Sequence, residues 1–143
     1  MIVNQVSVFL ENRAGRLLEV TKLLGENNIN IRALCVADTS DFGILRMIVD
    51  DTDRAISILR DANFSVAKTP VIAVKVTDKP GGLAHTLDAF LKAGLNVEYT
   101  YASLTREKDK AILIFKIEDI KQAIDRLSQQ NIEVLTEKEV KNL

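Results

Sequence analysis

Two short segments of the chain combine residue types and spacing that suit a small charged molecule. Asn12-Arg13-Ala14-Gly15-Arg16-Leu17 and Asp78-Lys79-Pro80-Gly81-Gly82-Leu83 each stand where an alternating apolar run gives way to helical spacing. A helix N-terminus carries unpaired backbone N–H groups and about half a positive charge, so it can hold a carboxylate or phosphate. Glycine lets the backbone approach a ligand closely. Asn12 or Asp78 could cap the helix or contact a ligand amine. The same residues also make an ordinary helix start, and residue types alone leave both readings open.

Other reactive side chains are few. His85 is the only histidine, and without a Ser, Cys or metal-ligand cluster it is a poor catalyst candidate. It reads as an exposed helical residue whose nearness to Gly81 would let it touch a ligand's side chain. Cys35 is the only cysteine, which excludes a disulfide framework within the chain and any multi-cysteine metal site. Alternating with Ala33 and Ala37, it reads as a small buried hydrophobe. Tyr99 and Tyr101 share one strand face, as core, as interface or as the lining of an aromatic-friendly pocket. Glu107-Lys108-Asp109-Lys110 reads as a solvated turn. Arg13 or Arg16 with Asn30 could imitate an acylphosphatase-like site, in which a loop Arg cradles phosphate and an Asn positions water. The second copy holds Lys79 and Gly82 at the matching positions, so this hydrolase reading is the alternative rather than the choice.

These loops are positioned by a repeat. Gly81 minus Gly15 is 66, and Asn96 minus Asn30 is again 66. That period is too long for a solenoid unit and fits a small domain. Strand spacing over residues 5–10 precedes a helix from Gly15 to about Asn27, strands at 31–37 and 44–49, a polar turn over Asp38–Asp41, a helix opened by Asp53, and a short strand from Phe64 to Ala67. The second half repeats this order: strand 71–76, helix 82 to about 92 with Leu83, Leu87, Phe90 and Leu91 inward, strands 97–104 and 111–117, a helix opened by Asp119, and a closing strand 132–135. The offset then becomes 68 (Val134 minus Val66), which places two extra residues in the turn near Thr105–Asp109. Lys68-Thr69-Pro70 is the expected linker. The domains are expected at 1–68 and 71–143.

A βαββαβ unit of this length is the ferredoxin-like arrangement, an antiparallel sheet with both helices on one face. The fold class expected is therefore α+β, two such units with antiparallel sheets joined side by side. Ile44–Val49 and Ala111–Phe115 are nearly continuous in apolar residues, so the sheet face away from the helices should also be covered, by the sister half or by a second copy in a homodimer. A unit of roughly 65 residues buries only about 60% of its unfolded surface, so the halves should pack together.

Composition narrows the function classes. The chain has 143 residues, 47% hydrophobic and 27% charged, with 19 basic and 20 acidic residues for a net charge of −1. That balance argues against nucleic acid as a partner, since phosphate binding needs a basic surplus on one face. No apolar stretch approaches the roughly 20 residues needed to span a bilayer, and the start lacks a signal-peptide pattern. A cytoplasmic protein that meets no membrane is the expectation. No residue pattern calls for a cofactor or a metal.

The pattern Asn/Asp-x-Pro-Gly-x-Leu after a first strand, then Asn-Ile/Val at the second strand, within a βαββαβ unit, resembles the ACT domain. The resemblance covers nearly the whole chain, twice. It implies regulatory modules that bind small molecules, most often amino acids, and that pair side by side with ligand between one domain's loop and its neighbour's second strand. Carried over by position, it implies one site using Asn12, Ala14, Gly15, Arg16 and Leu17 with Asn96. Its counterpart uses Asp78, Pro80, Gly81, Gly82 and Leu83 with Asn30. Backbone N–H groups would take an α-carboxylate, and the Asn or Asp side chain would accept from the α-ammonium. Ala14 stands where the family prefers Pro, and Arg16 where the second copy has Gly82, so the Asp78 loop matches better. The expected protein is a non-catalytic, stand-alone tandem ACT protein that passes its signal to a separate enzyme or to another copy of itself.

Overall fold

The computed structural model describes residues 1–38 and 41–143. Its elements are β1 (Val3–Glu11), α1 (Arg16–Glu26), β2 (Ile31–Asp38), β3 (Phe42–Val49), α2 (Thr52–Asp61), β4 (Ser65–Thr77), α3 (Gly82–Lys92), β5 (Val97–Glu107), β6 (Lys110–Ile117), α4 (Ile120–Gln129) and α5 (Glu137–Lys141). They pack as two compact units, Asn4–Thr69 and Met1–Val3 with Pro70–Leu143. The turn expected over Asp38–Asp41 runs through Thr39 and Ser40, which lie outside the described residues.

In the first unit β3 lies antiparallel between β1 and β2, with Val8 opposite Leu45 and Leu34 opposite Met47. The start of β4 flanks β1, where Ser7 Oγ is 3.1 Å from Thr69 Oγ1. Strand alternation sends Val6, Val8 and Leu10 of β1 and Leu45, Met47 and Val49 of β3 to one face, where Val20 and Leu24 of α1 and Ala55 and Leu59 of α2 cover them. The second unit repeats the plan. There β6 lies between β4 and β5, with Val74 opposite Leu113 and Ala102 also opposite Leu113. Its core joins Ile72, Val74 and Val76 of β4 and Phe115 and Ile117 of β6 to Phe90, Ala123 and Leu127 of the helices. Phe90 and Phe115 meet with ring centroids 4.8 Å apart.

The face away from the helices is buried in part, although Phe9 of β1 stays exposed on it. Ile48 in the first unit and Ala73, Ile112 and Ile114 in the second are out of solvent, which accounts for the continuous apolar runs of β3 and β6. Exposed large apolar side chains lie on the strands, at Phe9, Val36, Phe42 and Leu104, as well as on α1 and α3, at Leu18 and Leu91.

Several elements depart from the sequence expectation. The expected linker Lys68-Thr69-Pro70 is strand, part of a β4 that runs unbroken from Ser65 to Thr77; proline is tolerated in a strand where no ladder N–H is required. In α3 the residues turned inward are Gly82, Thr86, Ala89 and Phe90, whereas Leu83, Leu87 and Leu91 are exposed. Asp51 rather than Asp53 caps α2, accepting from the Arg54 N–H. The extra residues near Thr105 extend β5 and shift its register between Ala102 and Arg106 rather than lengthening the turn. The expected closing strand is a single bridge, Val74 to Val134, flanked by hydrogen bonds Lys75 N–H to Glu133 O and Leu135 N–H to Ala73 O. After it comes α5, opened by a capping box between Thr136 and Glu139.

The four long helices are each followed by a residue at positive φ: Asn28 at 56°, Asn63 at 65°, Gly94 at 67° and Asn131 at 56°. This left-handed stop turns the chain back toward the sheet and satisfies carbonyls of the last helical turn. Ile29 N–H returns to Leu24 O, Phe64 to Leu59, Leu95 to Phe90 and Ile132 to Leu127.

Candidate functional site

Both loops after the first strand of each unit are built around a left-handed glycine. Gly15 caps α1 at φ 88°, and Gly81 caps α3 at φ 83°; neither helix has a side-chain cap. Asn12 and Asp78 therefore do not cap these helices. Their backbone N–H groups hold the opposing hairpin instead, Asn12 to Asp41 O at 3.0 Å and Asp78 to Asp109 O at 2.8 Å. The Asp78 carboxylate pairs with Arg106 at 3.2 Å.

Position 82 is the tighter constraint. A Cβ there would collide with the Thr77 carbonyl oxygen, whereas Gly81 has nothing within 4 Å of the equivalent point. Gly81 is thus required by its torsion and Gly82 by the close approach of backbone to backbone. Lys79 N–H turns back to Thr77 O, and Gly82 N–H to Lys79 O. The N–H groups of Gly81, Leu83 and Ala84 donate to no acceptor among the described residues. They are the free donors that a helix start offers to an anion.

The first loop differs in detail. Arg16, at the position of Gly82, folds back along α1: its Nη1 is 2.6 Å from Glu19 Oε2 and its guanidinium lies 4.5 Å from the Phe64 ring centroid. Its Nε is buried without a hydrogen-bond partner. Beside it is a recess of about 200 Å³ lined by Leu10, Asn12, Arg16, Leu17 and Val36, among others. Arg16 thus fills space at the first loop that the second leaves to backbone.

The Gly81 loop borders a cleft of about 750 Å³. Lys75, Lys79, Gly81, Gly82, His85 and Lys110 line one part of it, and Gln130 to Glu133 the other. Lys75 is mostly buried and bridges Glu133 at 2.6 Å and Glu107 at 3.0 Å. The hydrogen bond that Lys75 donates to Glu133, then the one to Glu107, holds its pKa above the ordinary value. Lys75 and Lys110 were missed in the sequence because each sits in an alternating or charged stretch that reads as solvated strand or turn. His85 is exposed, as expected, and it does reach this cleft.

The two second-strand asparagines lie elsewhere within their units. Asn30 and Asp50 are joined by two hydrogen bonds, Asn30 N–H to Asp50 Oδ1 and Asp50 N–H to Asn30 O, each 3.1 Å. Glu11 faces Phe42 across the ladder while Ile31 faces Val49, so Asn12 and Asn30 stand at opposite ends of the first unit's sheet. Thr77 faces Lys110 and Val97 faces Ile117, which separates Asp78 from Asn96 in the same way. Asn96 borders a second cleft of about 690 Å³ with Asp119, Gln122 and Arg126. The acylphosphatase-like alternative needs Arg13 or Arg16 beside Asn30, and the first unit holds them apart.

Cys35 is half-buried and Tyr101 buried, with Tyr99 half-buried beside it on β5. Among the described residues no three His, Cys, Asp or Glu side chains gather to hold a metal ion, and no helix is long and apolar enough to cross a membrane.

Comparison with known proteins follows the same outline. The family described as an ACT domain pair matches residues 1–143. Protein BT0572 from Bacteroides thetaiotaomicron is similar over 100% of this chain and 98% of its own, at 36% identity and a TM-score of 0.93. The regulatory subunit of aspartate kinase from Thermus thermophilus, in a ligand-free form, shares the fold at 15% identity and a TM-score of 0.61, over 90% of this chain and 94% of its own. That from Thermus flavus does so at 16% identity and a TM-score of 0.60, over 90% and 94%. No curated protein sequence matches the chain.

Proposed function

Since the chain belongs to the family of ACT domain pairs, regulatory ligand-binding modules, we propose that it is a non-catalytic sensor of an amino acid. The observation that carries this reading is the Asp78–Gly82 loop. Its left-handed Gly81 and close-packed Gly82 leave the amides of Gly81, Leu83 and Ala84 unpaired beside a cleft of ligand size. An α-carboxylate meets those amides, and carboxylate and carbonyl oxygens nearby receive the α-ammonium. The first loop offers the same left-handed start at Gly15, with Arg16 in place of open backbone, so the second loop is the working site.

Ligand acts by population shift, favouring the conformation that binds it more tightly. The output passes to a separate enzyme in the cytoplasm or to another copy of this chain; sedimentation with and without ligand reads the second route. A thermal-shift panel against the standard amino acids tests the reading. Ligand at 100 times its Kd adds about 2.7 kcal/mol of stability, and a flat response across the panel refutes amino-acid sensing. The family resemblance assigns Asn30 to the Asp78 loop and Asn96 to the Asn12 loop. Asn30→Ala and Asp78→Ala should weaken one ligand together, with Asn12→Ala and Asn96→Ala testing the other assignment.

A further inference from the structure

The two copies differ most in charge around their loops. Subtracting 66 before the hairpin and 68 after it, Lys75 answers to Phe9, Lys79 to Arg13, His85 to Glu19 and Lys110 to Phe42. Two aromatic positions of the first copy are lysines in the second, and an acid has become a histidine. All four second-copy residues line the 750 Å³ cleft, in which Glu133 is the one lining carboxylate.

The lysines are not equivalent. Lys75 is occupied by Glu133 and Glu107. Lys79 and Lys110 form no ion pair among the described residues. The neighbouring acids do not answer them: Asp78 pairs with Arg106, and Asp109 is not among the residues lining the cleft. Two uncompensated cations thus face one cavity in a chain whose overall charge is −1. A neutral ligand would leave them so, whereas an anionic group entering the cleft gains charge-assisted hydrogen bonds.

We infer that the cleft of the second unit selects an amino acid with an acidic side chain, its second carboxylate held by Lys79 and Lys110. This rests on the amino-acid reading above and narrows it. Glu133, which no simple anion site would want, is retained where an α-ammonium needs an acceptor. The first copy, with Phe9 and Phe42 in place of Lys75 and Lys110, lacks this selectivity.

Titration calorimetry on the full chain tests it, with L-glutamate, L-aspartate, L-glutamine, L-asparagine and inorganic phosphate as separate titrants. One of the two acids should bind about tenfold or more tightly than its own amide, the difference of one charge-assisted contact. Lys79→Gln and Lys110→Gln should each erase that preference by weakening the acid more than its amide, with far-UV circular dichroism verifying that the variants keep their fold. Amides that bind as tightly as acids, or acid binding untouched by both variants, overturn the inference and leave amino-acid sensing standing. Phosphate as the only binder overturns both. Silence from all five titrants overturns the inference, and the full amino-acid panel then decides the broader reading.

Discussion

Replacing Gly82 with alanine drives a Cβ into the Thr77 carbonyl oxygen and leaves the carbonyl carbon only 3.1 Å away. Thr77 cannot easily retreat, because it closes β4 opposite Lys110 in the ladder. Overpacking of this kind costs about 1–3 kcal/mol. Alanine's better helix propensity returns at most about 1 kcal/mol, less at a first helical position. The net expectation is a loss of about 1–2 kcal/mol, a sizeable share of the roughly 5–15 kcal/mol that holds a folded protein together. Gly81→Ala meets no neighbour and pays only for its left-handed torsion, about 1–2 kcal/mol. Asparagine separates the two mechanisms, since it tolerates left-handed torsions but still carries a Cβ. Gly81→Asn should be clearly more stable than Gly81→Ala, while Gly82→Asn should be no better than Gly82→Ala. Urea unfolding followed by circular dichroism measures all four variants. A Gly82→Ala loss below about 0.5 kcal/mol, or rescue by asparagine at position 82, would refute the steric account of the loop.

Phe90→Ala should cost about 3–5 kcal/mol, since the ring is fully buried against Phe115, whereas Leu91→Ala, 76% exposed, should stay within about 0.5 kcal/mol; urea midpoints check both. Lys75 has a raised pKa from Glu133 and Glu107, so its stabilisation is complete below the unfolded value near 10.4 and fades as pH rises through the folded one. Melting temperatures from pH 8 to 11.5 should fall less steeply for Lys75→Met than for the wild type, and equal slopes would disprove the linkage. Glu139 is shifted the other way, its carboxylate held low by the Thr136 hydroxyl and then the Thr136 N–H. Its contribution is present above the unfolded value near 4.3 and is lost as pH falls through the folded one. Protection of the α5 amides, taken relative to the unstructured exchange rate at each pH, should therefore fall on acidification, and Glu139→Gln should remove that pH dependence.

The repeat, the α+β class and most of the strands and helices were legible because the strands alternate and each helix ends on a turn residue. The inward face of α3 was not. Leu83, Leu87 and Leu91 recur every four residues and look like a core stripe, while Thr86 looks like solvent. Thr86 is in fact buried, because its hydroxyl donates to the Gly82 carbonyl of the same helix and so needs no water. Pro70 misled in a similar way, reading as a break within what is continuous strand. For the site, the glycines of both loops were visible, but the reason for Gly82 depends on Thr77 O, a partner that spacing does not reveal. The cationic cleft was hidden for the same reason: Lys75, Lys79 and Lys110 come from a strand, a loop and a hairpin that only folding brings together. The capping box of Thr136 and Glu139 was in plain sight and would have announced α5.

The left-handed stops after the helices have a consequence for how the duplicated halves drifted apart. Asn28 answers to Gly94 across the repeat, yet both hold positive φ; Asn63 answers to Asn131 with no change of residue. What the halves share at these points is an angle, which asparagine or glycine supplies at all four helix ends. Side chains elsewhere had most of the alphabet in which to diverge, as Phe9 and Lys75 did. A chain copied from either half would therefore be recognised less by its residues than by the rhythm of its torsions.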